Sequence, residues 1–362
     1  MADEVEIEDD LDVPEVADSV VQSKKPEVIE IVFDKLLGTD TWPPPRRMIV
    51  NSDSLIEAIH LRNSRNEGKK GKKLGTKNPA NFLKDFIRKD TCNKNWPKRL
   101  RDLGVTARQV YGDEQVFEFI QFDPSQELPF PNRFDPAVDL VVLPFEALSI
   151  PVEARKLGRA DEPWLIQVAV AQRLIETHLA IEAAKSGLVV DTLAHLQVSV
   201  KTQPEIDATF IASIKDAEGN RLRAYVTVEA KQIGERILEH QIREQIKIAF
   251  ALTNSLSGED AIDAVLPIVL KVVRKTGSTD PAEAKHQYIY IAQFEMVSRT
   301  DFVAAYASAL HDLPLKIQSS ALYQPYPPIE GISSKPRRAK GIRSLKKPKS
   351  KGRRSKSSPG GE

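Results

Sequence analysis

Asp207, Glu229 and Lys231 are the residues whose types and spacing could do chemistry. They sit on two strand-like segments, residues 203–214 (QPEIDATFIASI) and 221–232 (RLRAYVTVEAKQ), joined by the turn KDAEGN. Successive side chains of a strand point to opposite faces. Ile206, Ala208, Phe210, Ala212 and Ile214 therefore share one face of the first segment, and Asp207 lies on the other. On the second, Val226, Val228 and Ala230 oppose Thr227, Glu229 and Lys231. Gly219 and Asn220 readily adopt the positive φ of a tight turn. Pairing Asp216 with Asn220 sets Phe210 against Val226 and Ala208 against Val228, apolar on apolar. A one-residue slip would set Phe210 against Thr227. The favoured register places Asp207 opposite Glu229, and Glu205 opposite Lys231. Like charges facing each other on a sheet are unfavourable, and a divalent cation held by both carboxylates removes that penalty. Two carboxylates, a lysine and a hard cation are the ingredients of phosphodiester hydrolysis. The plainer alternative is an exposed hairpin with a polar outer face, on which Lys231 merely neutralises Glu229.

PEID, a hairpin and then VEAK resemble the signature of the PD-(D/E)xK nuclease superfamily, whose fold is restriction-endonuclease-like, over roughly residues 160–295. Asp207 matches the aspartate of that motif, Glu229 its second acid and Lys231 its lysine. Pro204 stands three residues before Asp207 instead of beside it. The resemblance implies Mg²⁺-dependent cleavage of double-stranded DNA, most like that of a type II restriction endonuclease or a related defence nuclease. It implies that Asp207, Glu229 and the Ala230 carbonyl hold the metal and that Lys231 positions the attacking water. It further implies a 5′-phosphate product, a homodimer that cuts both strands, and a cognate DNA methyltransferase in the same system. Superfamily members often carry a further acid on a preceding helix, for which Glu176 is the candidate.

The neighbouring elements must position these groups. Residues 162–186 predict one long helix, with Leu165, Val168, Leu174, Ile175 and Leu179 as its apolar stripe. Residues 235–253 predict another, with Leu238, Ile242, Ile246, Ala249 and Phe250 inward. Gln241 and Gln245, one turn apart beside that stripe, either touch the active site or lie on a solvated face. Near-continuous apolar runs at 264–273 and 287–297 predict buried strands. The expected class is α/β: a restriction-endonuclease-like mixed sheet flanked by helices, with an N-terminal α+β module and disordered termini.

That N-terminal module spans residues 30–122. A helix is expected from about residue 54 to 65, with Ser54 and Glu57 at capping-box spacing. A lysine-rich loop follows, carrying Lys69, Lys70, Lys72 and Lys73. Phe82, Leu83, Phe86 and Ile87 mark a helical face, and a second helix is expected over 97–103. Strands are expected at 107–111 and 115–122. This order resembles a winged-helix DNA reader, which implies DNA contacts from the lysine loop and from Lys98, Arg99, Arg101 and Arg108. Pro124, Pro129, Pro131 and Pro136 mark residues 123–136 as a linker to a catalytic domain at 137–330, whose first strand is expected at 137–143.

Composition bounds the remainder. The chain has 362 residues, 41% of them hydrophobic, with a formal net charge of +1. That near-neutrality hides a polarity: residues 1–18 carry nine acids and no base, and residues 335–356 carry twelve Lys/Arg and no acid. Tails are expected at 1–29 and 331–362, the second a nonspecific grip on polyanions. The single Cys92 excludes an internal disulfide and points to a reducing compartment. No signal peptide, membrane span, zinc-ligand spacing or phosphate-binding loop is evident, which argues against a motor, a structural zinc finger and a membrane role. A cytoplasmic, nucleoid-associated protein is expected; KKPK at 346–349 would suit a nuclear one. Two other classes remain: a DNA-binding protein on an inactive nuclease fold, and a repair or recombination nuclease that reads DNA structure.

Overall fold

The computed structural model describes residues 24–67, 73–112, 114–123, 125–158, 161–202, 204–215, 219–274, 286–308, 313–329 and 332. Lys69, Lys70, Lys72, Asp216 and residues 1–23 and 333–362 lie outside the described residues, while residues 25–29, expected in the N-terminal tail, open a helix in which Val28 and Ile29 are buried.

The N-terminal part opens with α1 (Lys25–Leu37), which buries Val28, Ile29, Val32 and Phe33 along one stripe. Strand β1 (Met48–Asn51) leads directly into α2 (Ser52–Arg65). The cap of α2 is Asn51, whose side chain accepts from the Ser54 backbone N–H at 2.9 Å, and not the expected Ser54–Glu57 box. Three short helices follow: α3 (Lys84–Ile87), α4 (Cys92–Asn95) and α5 (Lys98–Asp102). Strands β2 (Val105–Gln109) and β3 (Gln115–Gln121) complete an antiparallel sheet in the order β1-β3-β2. Its core contains Phe33, Leu55, Phe82, Leu83, Trp96, Phe117 and Phe119.

The rest is built on a mixed sheet of eight strands. In chain order its elements are β4 (Val142–Glu146), α6 (Val152–Leu157), α7 (Glu162–Ala171), α8 (Leu174–Ile181), β5 (Val189–Val200), β6 (Ile206–Lys215), β7 (Arg221–Lys231), α9 (Glu239–Leu252), β8 (Ala264–Arg274), β9 (Gln287–Phe294), β10 (Val297–Ser298), α10 (Arg299–Ser308) and β11 (Ile317–Tyr326). The sheet runs β4-β11-β9-β8-β7-β6-β5, with β10 on β8. β5, β6 and β7 form an antiparallel meander, and α9 carries the chain from β7 to its parallel neighbour β8.

The β6–β7 register is the one the apolar pattern requires, with Phe210 on Val226 and Ala208 on Val228. Of the two turn residues, Gly219 alone adopts positive φ, at 83°. Alternation divides the sheet between two cores. Phe210, Val226, Val228 and Ala230 face α7 and α8, while Tyr225, Val265 and Val269 face α9. Both faces are covered, which is why β8 reads as an unbroken apolar run.

Several expectations are corrected. The helix expected over 162–186 is broken, because Arg173 takes a left-handed conformation (φ 53°) between α7 and α8. The strand expected at 137–143 lies instead at Val142–Glu146 and pairs in parallel with β11. The proline-rich stretch 123–136 is anchored: Phe130 stacks edge-on against Trp96, Phe134 against Phe294, and Asp135 pairs with buried Lys271 at 2.6 Å. No helix among the described residues is long and apolar enough to cross a membrane.

Candidate functional site

The site forms where the C-terminal end of β7 meets the start of α7 and one face of α9. The β6–β7 ladder closes at Ala208↔Val228, one step short of the acid pair. There Asp207 turns its Oδ2 to accept from the Ala230 backbone N–H at 2.8 Å. Glu229 and Lys231, two residues apart and so on one face of β7, are in direct contact. The Lys231 ammonium also donates to the Ala230 carbonyl at 3.0 Å and to Glu162 Oε1 at 3.4 Å. Glu162 is placed by the first turn of α7, which Asp161 caps by accepting from the Trp164 N–H at 3.1 Å. From the other face, Gln241 donates to Glu229 Oε1, and Gln245 donates to Glu229 Oε2 and to the Glu205 carbonyl. The two glutamines one turn apart on α9 thus meet on a single carboxylate.

The exposed-hairpin alternative is overturned by burial. Glu229 is 2% exposed and Lys231 5%. The polar face of β7 meets α9, whose Gln241 and Gln245 reach Glu229, and not water. Glu205 does not face Lys231; its carboxylate is taken by Ser199 and Lys201.

Burial and mutual repulsion set the protonation of the cluster. Burial, then the Glu229 charge, hold the Asp207 carboxyl well above its ordinary value of 3.8, against the pull of Lys231. Burial also raises Glu162, although Lys231 works the other way. For Lys231, burial disfavours the charge, but Glu229, Glu162 and Asp207 together outweigh it, so its pKa rises and it stays an ammonium.

Glu176 is on α8, where its partner is Arg173 at 3.5 Å and its Oε2 is buried without a partner. The acid that reaches Lys231 is Glu162. Its sequence signal was its place at a helix start, since that end of α7 meets the end of β7, whereas Glu176 lies beyond the Arg173 break. The expected DNA contacts divide. Arg108 is bound to Glu118 at 2.8 Å, and Arg99 to Asp34 at 2.5 Å with its guanidinium over Phe33. Lys73 pairs with Glu67 at 3.5 Å, Lys98 is exposed and Arg101 is half-buried. Glu118 is gripped by both Arg108 and Arg47; burial works to raise its pKa, and the two guanidiniums hold it below the usual range.

No family model, curated protein or solved structure matches this chain.

The donors suit a hard cation. Asp207 and Glu229 lie close enough to repel each other, the Ala230 carbonyl beside them accepts from Lys231, and the Gln241 Oε1 is buried without a partner. Among the described residues no three His, Cys, Asp or Glu side chains form a closed cage. Mg²⁺ does not need one, because it commonly takes one or two carboxylates and completes its shell with waters and substrate phosphate.

Proposed function

We propose that the chain is a metal-dependent endonuclease that hydrolyses double-stranded DNA, with a restriction-endonuclease-like catalytic part and a winged-helix-like N-terminal reader. The observation that carries this is the convergence of Asp207, Glu229 and Lys231 at the ends of β6 and β7. The element order supports it: helix, antiparallel meander, crossover helix and parallel strand, with one acid opening the second strand and acid-x-lysine closing the third. The α1-β1-α2 start and the sheet order β1-β3-β2 support a winged-helix-like reader.

Asp207, Glu229 and the Ala230 carbonyl would hold Mg²⁺, which when bound would lower the pKa of a water and offset charge on the phosphate. Lys231 is a cation and so is not a proton acceptor. Its ammonium orients the attacking water and faces the negative charge that grows on the phosphate. Gln241 and Gln245 fix the Glu229 carboxylate in one orientation, the support a metal-binding carboxylate needs. Glu162, its pKa raised, stands on the far side of Lys231 and is the nearest further group able to take a proton. Exposed Lys98, together with Lys69, Lys70, Lys72 and Lys73, would supply phosphate contacts. A homodimer would place two such centres on opposite strands.

Plasmid incubated with the full chain and Mg²⁺ should be cut into discrete fragments and left intact in EDTA. Lys231→Ala and Asp207→Asn should each slow cutting by about a hundredfold or more. Full activity in either variant sinks the assignment. Cuts confined to forks, flaps or ends would point to a repair nuclease.

A second reading is favoured by the saturation of Glu229, whose two oxygens are engaged by Lys231, Gln241 and Gln245. A buried pair so completely satisfied also suits a structural role in a DNA-binding protein without nuclease activity. Mg²⁺ separates the two. A nuclease centre gains thermal stability from the ion, and Asp207→Asn loses that gain. A structural pair shows neither effect.

A further inference from the structure

Three residues that line one cleft beside the acidic centre each carry a buried polar atom without a partner. These atoms are the Tyr111 hydroxyl, Gln109 Oε1 and His240 Nε2. Gln109 closes β2, Tyr111 follows two residues later, and His240 lies in the first turn of α9. The cleft, about 290 Å³, therefore lies between the N-terminal sheet and the catalytic helix. His240 immediately precedes Gln241, which holds Glu229, so cleft and acid cluster adjoin along α9. Folded proteins leave few buried polar atoms unpaired, and several on the residues around one cleft point to a group that belongs there.

The chemistry of the lining selects that group. The guanidiniums at the cleft are already engaged: Arg47 and Arg108 by Glu118, and Arg243 by Glu239 and the Leu313 carbonyl. The Gln109 amide donates to the Ala80 carbonyl at 2.8 Å, which leaves its oxygen as the unpaired group. Burial, with Lys84 and Arg243 nearby, pushes His240 down to about 3, so its ring is neutral. An unpaired acceptor beside a hydroxyl and a neutral imidazole is a poor seat for phosphate. It suits a neutral ligand that presents a donor next to an acceptor. Adenine and cytosine each carry an exocyclic amine next to a ring nitrogen acceptor, as does guanine on its N2–N3 edge, whereas thymine presents only carbonyls beside a ring N–H. The volume lies at the lower end of the range for ligand pockets, about 300–1,000 Å³, which is room for one small ring system. Because the surface is concave, the base must enter it and so must be unpaired.

We propose that this cleft is a subsite for one unpaired base that bears an exocyclic amine (adenine, cytosine or guanine, but not thymine), with Gln109 Oε1 accepting from that amine and the Tyr111 hydroxyl donating to the adjacent ring nitrogen. His240 Nε2 supplies a third contact. The inference rests on the nucleic-acid reading above and extends it: the N-terminal module would choose the base presented beside the catalytic acids.

The test is binding of the full chain, in EDTA so that nothing is cut, to short single-stranded homopolymers of dA, dC and dT. The wild type should bind dA and dC on the order of tenfold more tightly than dT. Tyr111→Phe should erase most of that preference while keeping or slightly raising the melting temperature, since it removes only an unpaired hydroxyl. A residue with a merely structural role would move stability and leave the preference alone. Equal wild-type affinity for all three polymers overturns the subsite, as does a preference that survives in Tyr111→Phe, or one lost together with all binding. Cleavage is scored separately in Mg²⁺. Cutting without base preference removes the subsite alone, and base preference without cutting removes the nuclease reading alone.

Discussion

Asp207 is the residue at which stability and proposed activity oppose each other. Its carboxylate is buried, shares a small volume with Glu229 and Glu162, and is held up in pKa by burial and by Glu229. The native state therefore keeps a proton that the unfolded chain releases above the ordinary value of 3.8. Its contribution to stability is complete below that pH and is lost as pH rises through the higher native value. Denaturation midpoints measured in EDTA should show this fall for the wild type and a flatter profile for Asp207→Asn. At neutral pH the same variant should melt a few degrees higher without metal, because an amide can still accept from Ala230 while the repulsion disappears. A lower melting temperature at neutral pH would show that the charge is satisfied as it stands. At this scale the sequence was legible where pairing fixed it: apolar matching up to Ala208 and Val228 brought Asp207 to the end of β7 that carries Glu229. Glu162 was not legible, since no local pattern says which helical acid reaches the end of a strand forty residues and more away.

Among the elements, α9 has two faces with two tasks. Ile242, Ile246, Ala249 and Phe250 bury its apolar stripe against the sheet, and Gln241 and Gln245 project from the adjoining positions onto Glu229. Gln245→Leu has nearly the same size but leaves Glu229 Oε2 and the Glu205 carbonyl short of a donor. It should lower unfolding free energy by about 2 kcal/mol or more, measured by urea titration. An unchanged midpoint would mean that water takes over both acceptors. Element types were legible where periodicity was strong, as in α9, β6, β7 and β8. They were illegible where a strand exists only because its neighbours do. β11 (IQSSALYQPY) has no clean alternation, yet it lies between β4 and β9 and is stitched by Ser319 and Tyr323 to buried His178. The Arg173 break is a second case: its left-handed backbone lets α8 turn so that His178 meets those hydroxyls.

The whole molecule is joined by the segment after β7. Gly234, at φ 77°, turns the chain into the N-terminal part. There Glu235 pairs with Arg88, Leu238 enters the N-terminal core, and the Arg236 guanidinium donates to the Phe130 carbonyl and Cys92 Sγ at 2.7 Å each. Cys92 is 1% exposed, and burial pushes its thiol up despite Arg236. It should resist alkylation in the native protein and react only when this contact opens. Arg236→Ala should speed that labelling tenfold or more, corresponding to about 1.5–3 kcal/mol for lost hydrogen bonds to a charged group. Equal labelling rates would mean that the junction is held elsewhere. This junction lies only a few residues beyond Lys231, so the N-terminal part is fastened directly beside the acid cluster.

The sequence by itself determined the β6–β7 hairpin, its register, the acid-x-lysine pair and the amphipathic α9, because these rest on alternation and periodicity among near neighbours. Only the tertiary structure decided that the polar face of β7 is buried, that Glu162 and not Glu176 reaches Lys231, and that Gln109, Tyr111 and His240 share one cleft. Those facts depend on which surfaces meet across long stretches of chain, where burial and charge compensation act between residues that no local pattern links.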